Sequence, residues 1–108
     1  MIYKKKHYES GEFTQFKTEI LFDKNLSAVS RVVLIYLLSN KEDWDYSEKN
    51  ICENFGIKIT QLRTALQQLM DNGYVNRTRL YEKGKFKKYI YDIFEDPTQN
   101  EKFMNEPF

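Results

Sequence analysis

Histidine and cysteine are nearly missing from this chain: its 108 residues hold one of each, His7 and Cys52. A lone thiol makes no intrachain disulfide, and a single histidine without a cysteine or carboxylate cluster around it makes a poor metal site. Long apolar runs are also lacking. None approaches the length of about 20 residues that a membrane-spanning helix needs. The N-terminal MIYKKKHYESGEF begins with a basic patch, but YESGEF follows where an export signal requires an apolar segment, so a cytoplasmic location is expected. There is no Gly-rich phosphate loop, nucleophile motif or spaced carboxylate pair. The chain is therefore read as a non-enzyme that uses no cofactor and no metal.

An excess of one charge is lacking overall, with 17 basic against 16 acidic side chains, but the distribution is uneven. Residues 58–88 hold eight basic residues against Asp71 and Glu82, a local charge of +6. Residues 89–108 hold Lys102 against five acids, a local charge of −4. The first segment is a candidate anion-binding surface.

What the chain does have is aromatics, with eight Tyr, eight Phe and Trp44, and enough length for one domain with a real core. LSAVSRVVLIYLLSN (26–40) is a helix with Ser27 as its N-cap, apolar almost all round and placed at the centre of the core. The stretch before it, FTQFKTEILF, reads either as extended or as packing chain. DWDYS reads as a short strand or loop anchored by Trp44. Ser47 then caps a short helix, EKNICENF, with Ile51, Cys52 and Phe55 inward. After a turn at Gly56, a second amphipathic helix runs to about Asn72 and stops at Gly73. Its apolar arc is Leu62, Ala65, Leu66, Leu69 and Met70. Thr60, Gln61, Arg63, Thr64, Gln67 and Gln68 fall on the other side. YVNRTRLYE and FKKYIYDIF, joined by KGK, read as a β-hairpin. The expected fold class is α+β, mainly α: a winged helix-turn-helix with a C-terminal β-hairpin wing over residues 13–97.

ICENFGIKITQLRTALQQLMDNGYVNRTRLYEKGKFKKYIYDIFEDP, with the lead-in LSAVSRVVLIYLLSNKEDWDYS, resembles the winged-helix domains of bacterial regulators. More narrowly, it resembles the N-terminal DNA-binding domains of phage and plasmid replication proteins. The resemblance implies double-stranded DNA binding, with the 60–72 helix in the major groove and the wing near the backbone or minor groove. The residues expected to meet DNA are Lys58, Thr60, Gln61, Arg63, Thr64 and Gln67 on the helix. On the hairpin they are Arg77, Arg79, Lys83, Lys85, Lys87 and Lys88. Gln and Arg suit bidentate contact with adenine and guanine edges, and the lysines suit phosphates. Lys58 departs from the family pattern, which has Ser or Thr there. A cation at a helix N-terminus costs about 0.3–1 kcal/mol. Either a bound phosphate offsets that cost or the helix starts later, capped by Thr60.

Residues 1–12 are expected to form a flexible basic arm and 98–108 an acidic tail beyond the packed domain. Phe103, Met104 and Phe108 would be its anchors if it docks a partner. Double-stranded DNA is the first expected partner. A second copy of the chain and a replication or regulatory protein are further candidates, and no membrane is. The same fold also serves as a protein-interaction module without DNA binding, the alternative reading.

Overall fold

The structure is a computed structural model that describes residues 15–39 and 47–105. The basic arm with His7, the Trp44 segment and Phe108 lie outside the described residues. Among those described, the chain is α+β and mainly helical. Short helix α1 (Glu19–Phe22) precedes α2 (Ala28–Ser39), α3 (Glu48–Phe55) and α4 (Ile59–Asp71). Strands β1 (Val75–Glu82) and β2 (Lys85–Ile93) follow, then a 3-10 turn (Pro97–Gln99) and α5 (Glu101–Met104). No described helix is long and apolar enough to cross a membrane.

Helices α2 and α3 begin, and α4 ends, where local chemistry requires it. Ser27 Oγ accepts the Ser30 N–H at 3.1 Å and Ser47 Oγ accepts the Asn50 N–H at 3.3 Å, so both serines act as N-caps. At the end of α4 the Tyr74 N–H donates to Leu69 O (3.0 Å) and the Gly73 N–H to Met70 O (3.2 Å), the paired bonds of a Schellman stop. Gly73 takes φ 86°, which an L side chain resists.

The core forms where the buried faces meet. Val33, Leu34 and Leu37 of α2 pack with Ile51 of α3 and with Leu62, Ala65, Leu66 and Leu69 of α4. Ile20, Leu26, Tyr74 and Val75 close it, and Cys52, Phe55 and Met70 pack at its edge half-buried. Each fully buried aliphatic side chain contributes about 1.5–3 kcal/mol. The apolar arc of α4 is thus the buried face, as its periodicity requires. Helix α2 is less central than its composition suggests: Val32 keeps 47% of its surface exposed. The described part of FTQFKTEILF, residues 15–22, carries the single helical turn of α1 at its end, which holds Ile20 in the core.

Gln68 departs from the free polar face assigned to it. Its Oε1 accepts the Ser27 N–H (2.6 Å) and the Ser30 hydroxyl (2.7 Å), so it ties α4 to the start of α2. Tyr74 donates its hydroxyl to Asp23 at 2.7 Å, and burial together with that bond pushes the phenol well above the ordinary tyrosine range.

The expected tail is also corrected over its described part. Asn100 is fully buried. Its amide donates to Gly73 O (2.9 Å) and exchanges two 2.9 Å bonds with the Asn76 side chain. Phe103 lies half-buried against Gly73. The packed unit therefore continues past Pro97, and a Lys17–Asp96 ion pair (2.7 Å) ties the chain before α1 to the start of this segment. That pair holds the Asp96 carboxyl down at about 2, with the Thr98 hydrogen bonds adding to the effect.

Candidate nucleic-acid interface

With its apolar arc sunk in the core, α4 has one stripe left over. Thr60, Arg63, Thr64 and Gln67 sit at i, i+3, i+4 and i+7, and all four are exposed. The stripe is internally organised. The Thr64 hydroxyl donates to Thr60 O (2.9 Å), and the Gln67 amide donates to Asp71 (2.9 Å). Arg63 Nε donates to Glu48 of α3 at 3.1 Å, with 67% of the Arg63 side chain still exposed. An exposed pair of this kind is worth about 0–1 kcal/mol, so a ligand can exchange it cheaply.

Lys58 and Gln61 take a different role from the one expected. The helix begins at Ile59 with Lys58 as N-cap, not at Thr60. An ammonium has no lone pair to accept a backbone N–H, so the Lys58 side chain caps nothing. Instead Gln61 Oε1 accepts the Lys58 N–H at 2.8 Å. That bond turns the Gln61 amide back toward the helix start, so a bidentate contact with adenine would have to share the same oxygen.

The hairpin closes on a two-residue turn, Lys83-Gly84, with φ 51° and 77°. Two successive positive φ values are the signature of the type I′ turn that matches the twist of paired strands. Strand register then sorts the cations. Arg77 pairs with Tyr91, Arg79 with Tyr89 and Tyr81 with Phe86, so these six residues share one face. Leu80 pairs with Lys88 and Glu82 with Lys85 on the other. The register slips between Leu80 and Tyr81, which leaves Lys87 as the extra residue of a β-bulge, bonded to Glu82 at 2.7 Å. The six hairpin cations therefore form no single patch: Arg77 and Arg79 lie on one face, Lys85 and Lys88 on the other, Lys87 at the bulge and Lys83 at the turn.

The arginine face carries a ladder of rings that strand alternation alone does not reveal. Counting by twos puts Phe86 opposite Tyr89 and Tyr91, and the bulge re-phases it onto their side. Tyr81 and Phe86 are 6.2 Å apart, Phe86 and Tyr89 5.0 Å, and Tyr89 and Tyr91 6.3 Å. Arg77 sits over the Tyr89 ring at 4.4 Å. At the base of the ladder, burial raises the Tyr91 hydroxyl, Arg77 opposes the rise, and the Glu48 charge adds to it. Glu48 thus pairs with Arg63 on the α4 stripe, and its charge is also felt at Tyr91 on the hairpin face.

No protein-family model matches this sequence, and no curated protein or solved structure shows significant similarity to it.

Proposed function

We propose that this chain is a winged helix-turn-helix protein that binds double-stranded DNA. In this reading α4 enters the major groove and the hairpin is the wing that lies along the backbone. The observation that carries it is the α4 stripe. A helix anchored by its apolar face leaves Thr60, Arg63, Thr64 and Gln67 exposed in a row, with α3 and a turn before it and a cation-bearing hairpin after it. Arg63 and Gln67 are the base-reading residues, and Thr60, Thr64 and the N-terminal Lys58 are suited to the flanking backbone. Lys83, Lys85, Lys87 and Lys88, with Arg77 and Arg79, supply phosphate contacts. The resemblance to replication-protein and regulator domains supports a cytoplasmic setting in replication or transcription regulation of a phage or other mobile element.

Titration of labelled duplex DNA at several salt concentrations tests this. Affinity should fall with a log–log slope of about −0.9 per contacted phosphate. Arg63→Ala should lower preference for a selected site by about 1–3 kcal/mol, whereas Lys83→Ala and Lys85→Ala should weaken selected and random duplexes alike. A flat salt dependence, or wing variants that alter specificity while Arg63→Ala does nothing, overturns the assignment.

One observation favours the protein-interaction reading. Phe22 is 73% exposed and Leu21 43%, side by side on α1. Phe22→Ser that dissolves a dimer or abolishes capture of a protein partner, in a chain with no duplex affinity, would establish that alternative.

A further inference from the structure

Tyr81 and Phe86 are not used by duplex binding. They lie beside the hairpin turn and keep 53% and 51% of their surface exposed. Their rings meet at 77°, and Phe86 meets Tyr89 at 62°. In an edge-to-face pair one ring turns its rim to the other, so its own faces stay open to a third planar group. Cations stand among the rings. Arg79 interacts with the Tyr81 and Tyr89 hydroxyls, and Arg77 covers Tyr89. Register puts no acid of the hairpin itself on this face: Glu82 and Asp92 belong to the opposite one, Glu82 is bonded to Lys87, and the Glu48 charge of α3 is felt at the base of the ladder, at Tyr91.

We propose that this hairpin face is a stacking site for the unpaired bases of single-stranded DNA. Every base has a π-face, so exposed rings take unpaired bases regardless of sequence, while nearby cations hold the phosphates between them. Tyr81 and Phe86 are the stacking platform. Arg79 on this face and the exposed Lys83 at the turn face the backbone. Bases inside a duplex already stack on one another and offer the rings nothing. That difference separates this surface from the α4 stripe, and the assignment stands whether or not α4 binds a duplex.

Fluorescence anisotropy of the full chain with a short labelled oligothymidylate tests the proposal. The matched abasic strand should bind at least about fivefold more weakly, the lower end for loss of one stacked base. Tyr81→Leu and Phe86→Leu keep apolar bulk but remove the ring. Each should weaken oligothymidylate binding by at least about the same factor, while duplex affinity stays within twofold. Equal binding of the abasic strand by the native chain overturns the proposal without any variant. Equal losses on single strand and duplex also overturn it, since the rings would then serve only the hairpin's structure. Oligouridylate should bind no tighter than oligothymidylate, and a preference for it above tenfold would make the ligand RNA and the DNA assignment wrong.

Discussion

Gly73→Ala is the substitution on which the most structure converges. Two costs arise from one added methyl group. The first is local: Gly73 holds φ 86°, and an L-residue in the left-handed region costs about 1–2 kcal/mol. The second is tertiary. A Cβ at Gly73 would sit 2.6 Å from Phe103 Cδ2, 2.7 Å from Cγ and 2.9 Å from Cε2. Because the clash reaches Cγ at the root of the ring, swinging the far edge aside does not relieve it, and the ring must lift off. Truncating a fully buried Phe costs about 3–5 kcal/mol, so undocking the half-buried Phe103 costs less, about 1–3 kcal/mol. The expected total is about 2–5 kcal/mol. In a Phe103→Ala background only the backbone part remains, about 1–2 kcal/mol. Urea unfolding of the four proteins, followed by far-ultraviolet circular dichroism with matched m-values, reads both numbers. If Gly73→Ala costs the same in both backgrounds to within about 0.5 kcal/mol, Phe103 does not pack on Gly73 and the docked C-terminus is wrong.

Three further outcomes are expected. Leu66→Ala should cost about 2–5 kcal/mol by opening a cavity between α2 and α4, whereas exposed Thr64→Ala should stay within about 0.5 kcal/mol; thermal melts giving equal losses would mean α4 faces the other way. The Asp96 carboxyl titrates at about 2 when folded, below its unfolded value near 4, so its contribution is complete above about pH 4 and is lost as pH falls through about 2. The urea midpoint of the native chain should therefore drop more steeply across that window than that of Asp96→Asn, and parallel curves would remove the Lys17 pairing. Glu48→Gln should tighten duplex binding at low salt, because it removes an acid beside Arg63, and the gain should shrink as salt rises; unchanged affinity would place Glu48 away from the DNA.

Helices α2, α3 and α4 and the hairpin were legible in the sequence because their signals are local. Leu62, Ala65, Leu66 and Leu69 recur at helical spacing, Ser47 stands one residue before its helix, and Gly84 marks the hairpin turn by its ease at positive φ. What was not legible depends on partners far away in the chain or on a single skipped residue. Gln68 looks like its neighbour Gln67 until Ser27 and Ser30, about 40 residues earlier, take its carbonyl. Asn100 lies in a polar, acidic stretch that reads as solvated chain, and only Gly73 and Asn76 explain its burial. The ring ladder was hidden by the bulge at Lys87, since one unpaired residue reverses the face of everything beyond it. For the candidate interface, the α4 stripe could be read from periodicity, whereas the division of the hairpin cations between two faces could not.

The same bulge and the same asparagine decide how the two candidate surfaces stand to each other. The chain passes from α4 to β1 through Asn72, Gly73 and Tyr74 alone, a junction short enough to be a hinge. Asn100 spans it, donating to Gly73 O on the helix side and exchanging bonds with Asn76 on the strand side, while Phe103 covers it. A free hinge would have to be immobilised each time helix and hairpin engage one ligand, at an entropic cost taken from affinity. With the C-terminal segment as a brace, that ordering is already complete in the unbound protein. The segment that reads as a tail therefore joins the buried Tyr74 and Val75 in holding the α4 stripe and the aromatic face of the hairpin in one relation.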